Sequence, residues 1–196
     1  NVLFWHWSPE HQWDMNFRVR GFNECLIMYI LAAASPTHGV PAKVYHEGWA
    51  ENGAIVKPHT AENLPMNLRY QTGNIGPLFW AHYSFLGLDP NGLKDQYANY
   101  FDEMKNYTLA NRAYCIRNPK NYKGYGENCW GLTASYSVKG YAAHAPNEKE
   151  DHGVISPTAA LSSIVYTPEE SIDVMKYLYQ KKDKTCLLYT SDAADE

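Results

Sequence analysis

An all-α fold, mainly helical and joined by long aromatic loops, is predicted by three observations. Residues 21–34 and 76–87 are strongly apolar and rich in helix formers. Residues 93–116 place apolar or aromatic side chains at 97, 100, 101, 104 and 115, with Thr108 on the same face, close to a 3.6-residue period. Beyond possible short hairpins, no segment shows the apolar/polar alternation of a strand ladder.

The elements follow in order. Residues 1–20 are rich in Trp, His and Pro without helical periodicity, and read as a loop or short strand. Residues 21–34 (GFNECLIMYILAAA) are apolar nearly all round, which predicts a helix buried on most sides. Ser35-Pro36 stops it, because a residue before proline avoids helical geometry. Residues 41–50 suit a short helix, and 51–75, punctuated by Gly53, Pro58, Pro65 and Gly73, read mostly as loop. In 76–87, Pro77 suits a first helical turn. Asp89-Pro90-Asn91-Gly92 is a turn signature. Residues 117–154 form a long polar, glycine-rich connection, a length that is uncommon unless it carries function. Ser156-Pro157 and Thr167-Pro168-Glu169-Glu170 mark two helix starts, the second a capping box. Ile172, Met175, Leu178 and Tyr179 are the expected core stripe of the last helix.

Composition narrows the function classes. The chain has 196 residues, 17 Lys+Arg against 21 Asp+Glu and a net charge of -4. That balance argues against a nucleic-acid partner, which needs clustered cations to neutralise phosphates. The longest apolar run, Cys25 to Ala34, is half of the about 20 residues that a membrane span requires. No Cys/His spacing for a metal occurs, so a zinc site is not expected, and there is no phosphate-binding glycine loop. The informative excess is aromatic: 16 Tyr, 6 Trp and 6 Phe. Flat rings with polar tips suit a core, and they equally suit stacking on sugar rings.

Both chain ends look interrupted. Asn1 follows no charged-then-apolar leader, and Cys186–Glu196 resembles read-through of a sequencing adapter. The expected native portion is therefore 1–185. Within it, Cys25 reads as a small core residue, and Cys115 and Cys129 flank a Gly/Tyr/Asn/Lys-rich loop; an oxidising compartment would allow them to pair, and the sequence leaves that open.

The chemistry candidates are carboxylates among aromatics. Glu24 stands at the start of an apolar helix. It reads either as a first-turn acid favoured by the helix dipole or as a desolvated general acid with a raised pKa. Glu127 in the long loop reads as a solvated charge, a sugar-hydroxyl ligand or an acid/base group. Asp14, Glu47 and Glu51, near Trp13 and Trp49, are weaker candidates for a second carboxylate, whereas Glu103, Glu169 and Glu170 fall at solvent or capping positions. Trp5, Trp7, Trp49, Trp80 and Trp130 are stacking candidates, and His6, His11, His38 and His82 suit hydroxyl recognition.

Six segments in order carry a family resemblance: Phe4-Trp5-His6-Trp7, Gly21-Phe22-Asn23-Glu24, Ser35-Pro36-Thr37-His38, Glu127 to Ser135 (ENCWGLTAS), Ser156 to Ala160 (SPTAA), and Tyr166 to Ser171 (YTPEES). Together they resemble the bacterial glucoamylase-like glycoside hydrolases of Bacteroidetes-type organisms, whose relatives include endo-acting, inverting β-1,2-glucanases. The resemblance implies a partial (α/α)6 toroid over 1–185, an oligo- or polysaccharide substrate, no cofactor and a periplasmic or cell-surface location. It implies Glu24 as general acid, with Trp5, His6, Trp49, Glu127, Trp130 and Thr133 binding substrate. Three alternatives stay open: a non-catalytic glycan-binding protein, a transglycosylase or cyclic-glucan-forming domain, and an α-glucan glucoamylase.

Overall fold

The computed structural model describes residues 1–70 and 73–180; the segment 186–196 therefore lies outside the described residues. Five α-helices are described: α1 (Leu26–Ala34), α2 (Leu78–His82), α3 (Tyr100–Arg117), α4 (Pro157–Ser162) and α5 (Pro168–Gln180). The fold is not purely all-α. Two antiparallel hairpins join the helices: β1 (Val56–Ala61) with β2 (Leu64–Leu68), and β3 (Ser135–Ser137) with β4 (Gly140–Ala142). No described helix is long and apolar enough to cross a membrane.

The long helix α3 organises the core. Tyr100, Met104, Tyr107, Ala110, Tyr114 and Cys115 are buried along one face, as the 3.6-residue period predicts from Tyr100 onward. Its first expected residues, 93–99, form a turn instead. There Asp95 accepts from the Tyr97 and Ala98 N–H groups (2.8 and 2.9 Å), an Asx-type arrangement that competes with helix. The other Asp95 oxygen accepts from the hydroxyls of Tyr45 and Tyr100 and so pins this turn to the π-helical turn Tyr45–Trp49.

The β1–β2 hairpin replaces an expected loop. Leu64, Met66 and Leu68 alternate with Pro65 and Asn67, and Met66 and Leu68 point into the core. Glu62 and Asn63 turn the chain with φ of 49° and 66°. Glu103, expected in solvent, is buried and fastens this hairpin to α3. Its carboxylate accepts from Asn67 N (2.8 Å), Asn67 Nδ2 (2.9 Å) and Leu68 N (3.2 Å). Burial pushes its carboxyl pKa up, and the N–H donors oppose that push.

Several helices are shorter, or face differently, than expected. α1 starts at Leu26, and within it only Leu26 and Tyr29 are buried while Leu31 is exposed. This chain covers one face of α1, not all sides. In α5 the buried positions are Ser171 and Val174, with Leu178 packed beside the core. Met175 and Tyr179 are exposed, so the stripe is rotated from the expected one. The Thr167 hydroxyl does not make the expected capping box; it donates back to the Ser163 carbonyl (3.2 Å). Ser156 is the N-cap of α4, with Pro157 opening the helix, but its side chain makes no cap bond. Cys115 and Cys129 are both thiols, and Cys115 is deep in the core.

Candidate active site

The segment 1–25 builds a cavity of about 340 Å³ against α2. Residues 4–18 leave the core as an aromatic excursion and return. Its base is paired by Val19 N to Leu3 O (3.0 Å) and Trp5 N to Phe17 O (2.9 Å). The buried Tyr29 hydroxyl closes this base, donating to Val19 O (2.6 Å) and accepting from Leu3 N (3.1 Å). Trp5, Met15 and Phe17 form one wall of the cavity and Trp80 of α2 another; Arg18, Arg20, Asn23, Glu24 and Cys25 complete the lining.

Glu24 sits in a turn just before α1, not within it. That turn is held at several points. Asn23 donates through Nδ2 to Arg20 O and Gly21 O (3.2 and 3.1 Å) and accepts from Cys25 N (2.8 Å). Gly21, at φ 69°, donates its N–H to Trp49 O (3.0 Å). The Glu24 side chain lines the cavity, and its Oε2 is shielded without a hydrogen-bond partner among the described residues. Burial, and secondarily the Glu24 charge, push the Cys25 thiol up to about 12, so it stays protonated. The Glu24 carboxyl thus shares its cavity lining with aromatic side chains and with Arg18 and Arg20.

The other expected site residues divide. Trp5 is half exposed and lines the cavity with Glu24. His6 is exposed nearby but does not line it. Trp49 and Trp130 correct the expectation of sugar stacking: both are fully buried, so neither has a ring face open to a ligand. Trp49 donates Nε1 to the Tyr100 hydroxyl (3.3 Å) as part of the core. Thr133 accepts from Phe79 N (3.1 Å), and the neighbouring Leu132 O accepts from Leu78 N (2.9 Å); together they cap α2, whose N-cap Pro77 makes no side-chain cap bond. Thr133 also lines a second cavity of similar volume, with Leu78, Phe79, Val165 and Tyr166, away from Glu24. Glu127 is exposed, its carbonyl accepting from Arg112 Nε (3.1 Å).

The weaker carboxylates scatter too. Asp14 is exposed, 4.0 Å from His11 Nδ1. Glu47 pairs with the Asn1 amino group (3.1 Å), and its pKa is lowered first by hydrogen bonds from Asn1. Glu51 lies beside Gly21, with its backbone at φ 48°. Trp80, read from sequence as a stacking candidate, does face the cavity. Met15, Phe17, Arg18, Arg20 and Asn23 also line it; in the sequence only the density of aromatics around Trp5 and the Gly-Phe-Asn-Glu segment signals them.

Known proteins match this chain over nearly all of its length. The sequence profile of a family described as "Putative glucoamylase" matches residues 16–194, a range that runs into the 186–196 segment. A Parabacteroides distasonis protein described as exo β-1,2-glucooligosaccharide sophorohydrolase (non-reducing end) is 39% identical over 193 residues, 91% of this chain and 27% of that protein. A Bacteroides fragilis crystal structure under the same glucoamylase description superposes with a TM-score of 0.90 at 73% identity, over 93% of this chain and 44% of that one. An endo-β-1,2-glucanase from Chitinophaga pinensis, solved with sophorotriose and glucose, gives 0.89 at 63% identity, over 93% and 44%. The chain thus spans less than half the length of these relatives. With the profile covering most of its residues, the chain belongs to the family described as "Putative glucoamylase".

Proposed function

We propose that the complete protein hydrolyses β-1,2-linked glucan, as an endo-acting, inverting enzyme whose general acid is Glu24. The observation that carries this reading is the Glu24 carboxyl: shielded and unpartnered at Oε2, on a turn held by hydrogen bonds, and facing a cavity walled by Trp5, Phe17 and Trp80. The relatives named as β-1,2-glucan hydrolases support the substrate class. In this mechanism Glu24 gives its proton to the glycosidic oxygen as the C–O bond breaks. Water attacks the anomeric carbon from the opposite face and passes its proton to a second carboxylate, directly or through a sugar hydroxyl. Trp5, Phe17 and Trp80 offer apolar ring surface to the pyranose faces, and Arg18 and Arg20 offer donors to hydroxyls. We place this chain within a larger (α/α)6 toroid, which accounts for the apolar side chains Leu31, Leu86 and Val165 that it leaves exposed.

Glu24→Gln in the complete protein tests the assignment. Hydrolysis of linear β-1,2-glucan is expected to fall by about 10²–10⁴-fold, with oligosaccharide binding kept. Turnover near that of the unsubstituted protein removes Glu24 from the acid's role. The early product distribution decides the mode: a spread of oligosaccharides marks endo cleavage, and sophorose alone marks the exo mode named for the Parabacteroides relative.

A further inference from the structure

Among the described residues the Glu24 carboxyl has a shielded oxygen without a partner, so hydrogen bonds to its side chain do not account for its position at that oxygen. Its backbone is where the fold takes hold. Ser84, buried in the 3-10 turn Tyr83–Leu86 that continues α2, donates its hydroxyl to Glu24 O at 2.6 Å. Ser84 Oγ in turn accepts the N–H of Ile27 at 3.2 Å. This second bond answers a defect in α1. Its N-cap is Cys25, which makes no side-chain cap bond, so the first-turn N–H groups need an acceptor from elsewhere. Ser84 supplies it from 57 residues away in sequence.

Four residues earlier, Trp80 Nε1 donates to Phe22 O at 3.1 Å. Residues four apart project from one side of a helix. The Trp80–Ser84 pair therefore grips alternate carbonyls, those of Phe22 and Glu24, from a single helical face.

We propose that Ser84 is the positioning residue of the general acid: one hydroxyl ties the Glu24 carbonyl to the first turn of α1 and so fixes the carboxyl within the cavity. This rests on the reading of Glu24 as the acid. Ser84 touches no substrate; it acts through the Glu24 backbone. Loss of its hydroxyl frees the Glu24 carbonyl and leaves the Ile27 N–H without its acceptor, and the carboxyl drifts from the glycosidic oxygen. A misplacement of about 1 Å lowers such a step by about 100-fold.

The test uses the complete protein with Ser84→Ala, and Ser84→Cys as the variant of closer volume should the alanine form not fold. Each is assayed on linear β-1,2-glucan and on a β-1,2-glucooligosaccharide carrying a nitrophenol leaving group, which departs with little help from an acid. The expected result is a fall in kcat of about 10- to 100-fold on the glucan, KM within about twofold, and a much smaller loss on the aryl substrate. The basic limb of the kcat–pH profile is expected to move, because that limb reports the acid. Equal losses on both substrates show a merely structural role and overturn the proposal, as does unchanged kcat on the glucan in a folded variant. Glu24→Gln run alongside keeps the two claims apart. If it retains activity, the acid assignment fails; if it is inactive while a folded Ser84 variant is normal, only the positioning claim fails.

Discussion

Replacing Tyr29 with Phe tests how the aromatic excursion is held to the core. Tyr29 is 1% exposed, and its ring lies between Tyr45 and Trp49 at centroid distances of 6.4 and 6.2 Å. The substitution keeps the ring and opens almost no space. What it removes is the hydroxyl that donates to Val19 O at 2.6 Å and accepts from Leu3 N at 3.1 Å. Each such bond contributes about 1 kcal/mol net, and a buried group left unpaired costs about 1–3 kcal/mol. Phe has nothing to offer the Leu3 N–H or the Val19 carbonyl, so the expected loss is about 2 kcal/mol. The loss is concentrated where residues 3 and 19 meet. The assay is amide hydrogen exchange at Trp5 and Val19, whose N–H groups pair across that base. Their protection should fall by about 30-fold, the equivalent of about 2 kcal/mol. Oligosaccharide affinity of the complete protein should weaken in parallel, because Trp5, Met15 and Phe17 ride on this excursion. Protection within a factor of two of the unsubstituted chain at both amides refutes the reasoning.

Two further outcomes are expected. The His82 ring is stacked on Tyr166 at 4.8 Å, with Nε2 2.8 Å from Thr108 Oγ1, and burial pulls its pKa from 6.5 down to about 4. The unfolded chain takes up this proton near pH 6.5 and the folded chain does not. The stability tied to neutral His82 is therefore complete above pH 6.5 and is lost as the pH falls toward 4, by on the order of 3 kcal/mol. Urea midpoints from pH 7 to 4.5 should fall less steeply for His82→Gln than for the unsubstituted chain; parallel slopes contradict this. Gly131→Ala meets two penalties: φ is 119°, and a Cβ there would lie 2.7 Å from Ser156 O and 3.1 Å from Ala160 N. A loss of at least about 2 kcal/mol in a thermal or urea melt is expected, and a change below about 0.5 kcal/mol rules out that backbone geometry.

The legible parts of the sequence were those written in local pattern. α3 announced itself by period because its core face repeats along one continuous element. Pro157 at the start of α4 and the Asn91-Gly92 turn, with Asp89 Oδ1 accepting from Asn91 N at 2.9 Å, follow from the chemistry of neighbouring residues. The β1–β2 hairpin carried a readable signal, the alternation of Leu64, Met66 and Leu68, but Pro58 and Pro65 masked it. Glu103 had no local signal of burial. Its acceptor role exists only because β2 presents the Asn67 and Leu68 N–H groups to α3 across 35 or 36 residues.

The site divides along the same line. From residue types and their order alone, the sequence determined the family and its excess of aromatic side chains. Tertiary structure decided which aromatics can meet a ligand. Trp5 and Trp80 face the cavity, while Trp49 and Trp130 vanish into the core, and nothing in a lone tryptophan's neighbours distinguishes these fates. It also decided that Glu24 lies in a turn before α1, gripped by Trp80 and Ser84 from a helix almost 60 residues on. The physical reason is range. Helical period, proline and caps act over a few residues and are written into the chain, whereas burial and an acid's placement depend on surfaces that meet only when distant segments pack.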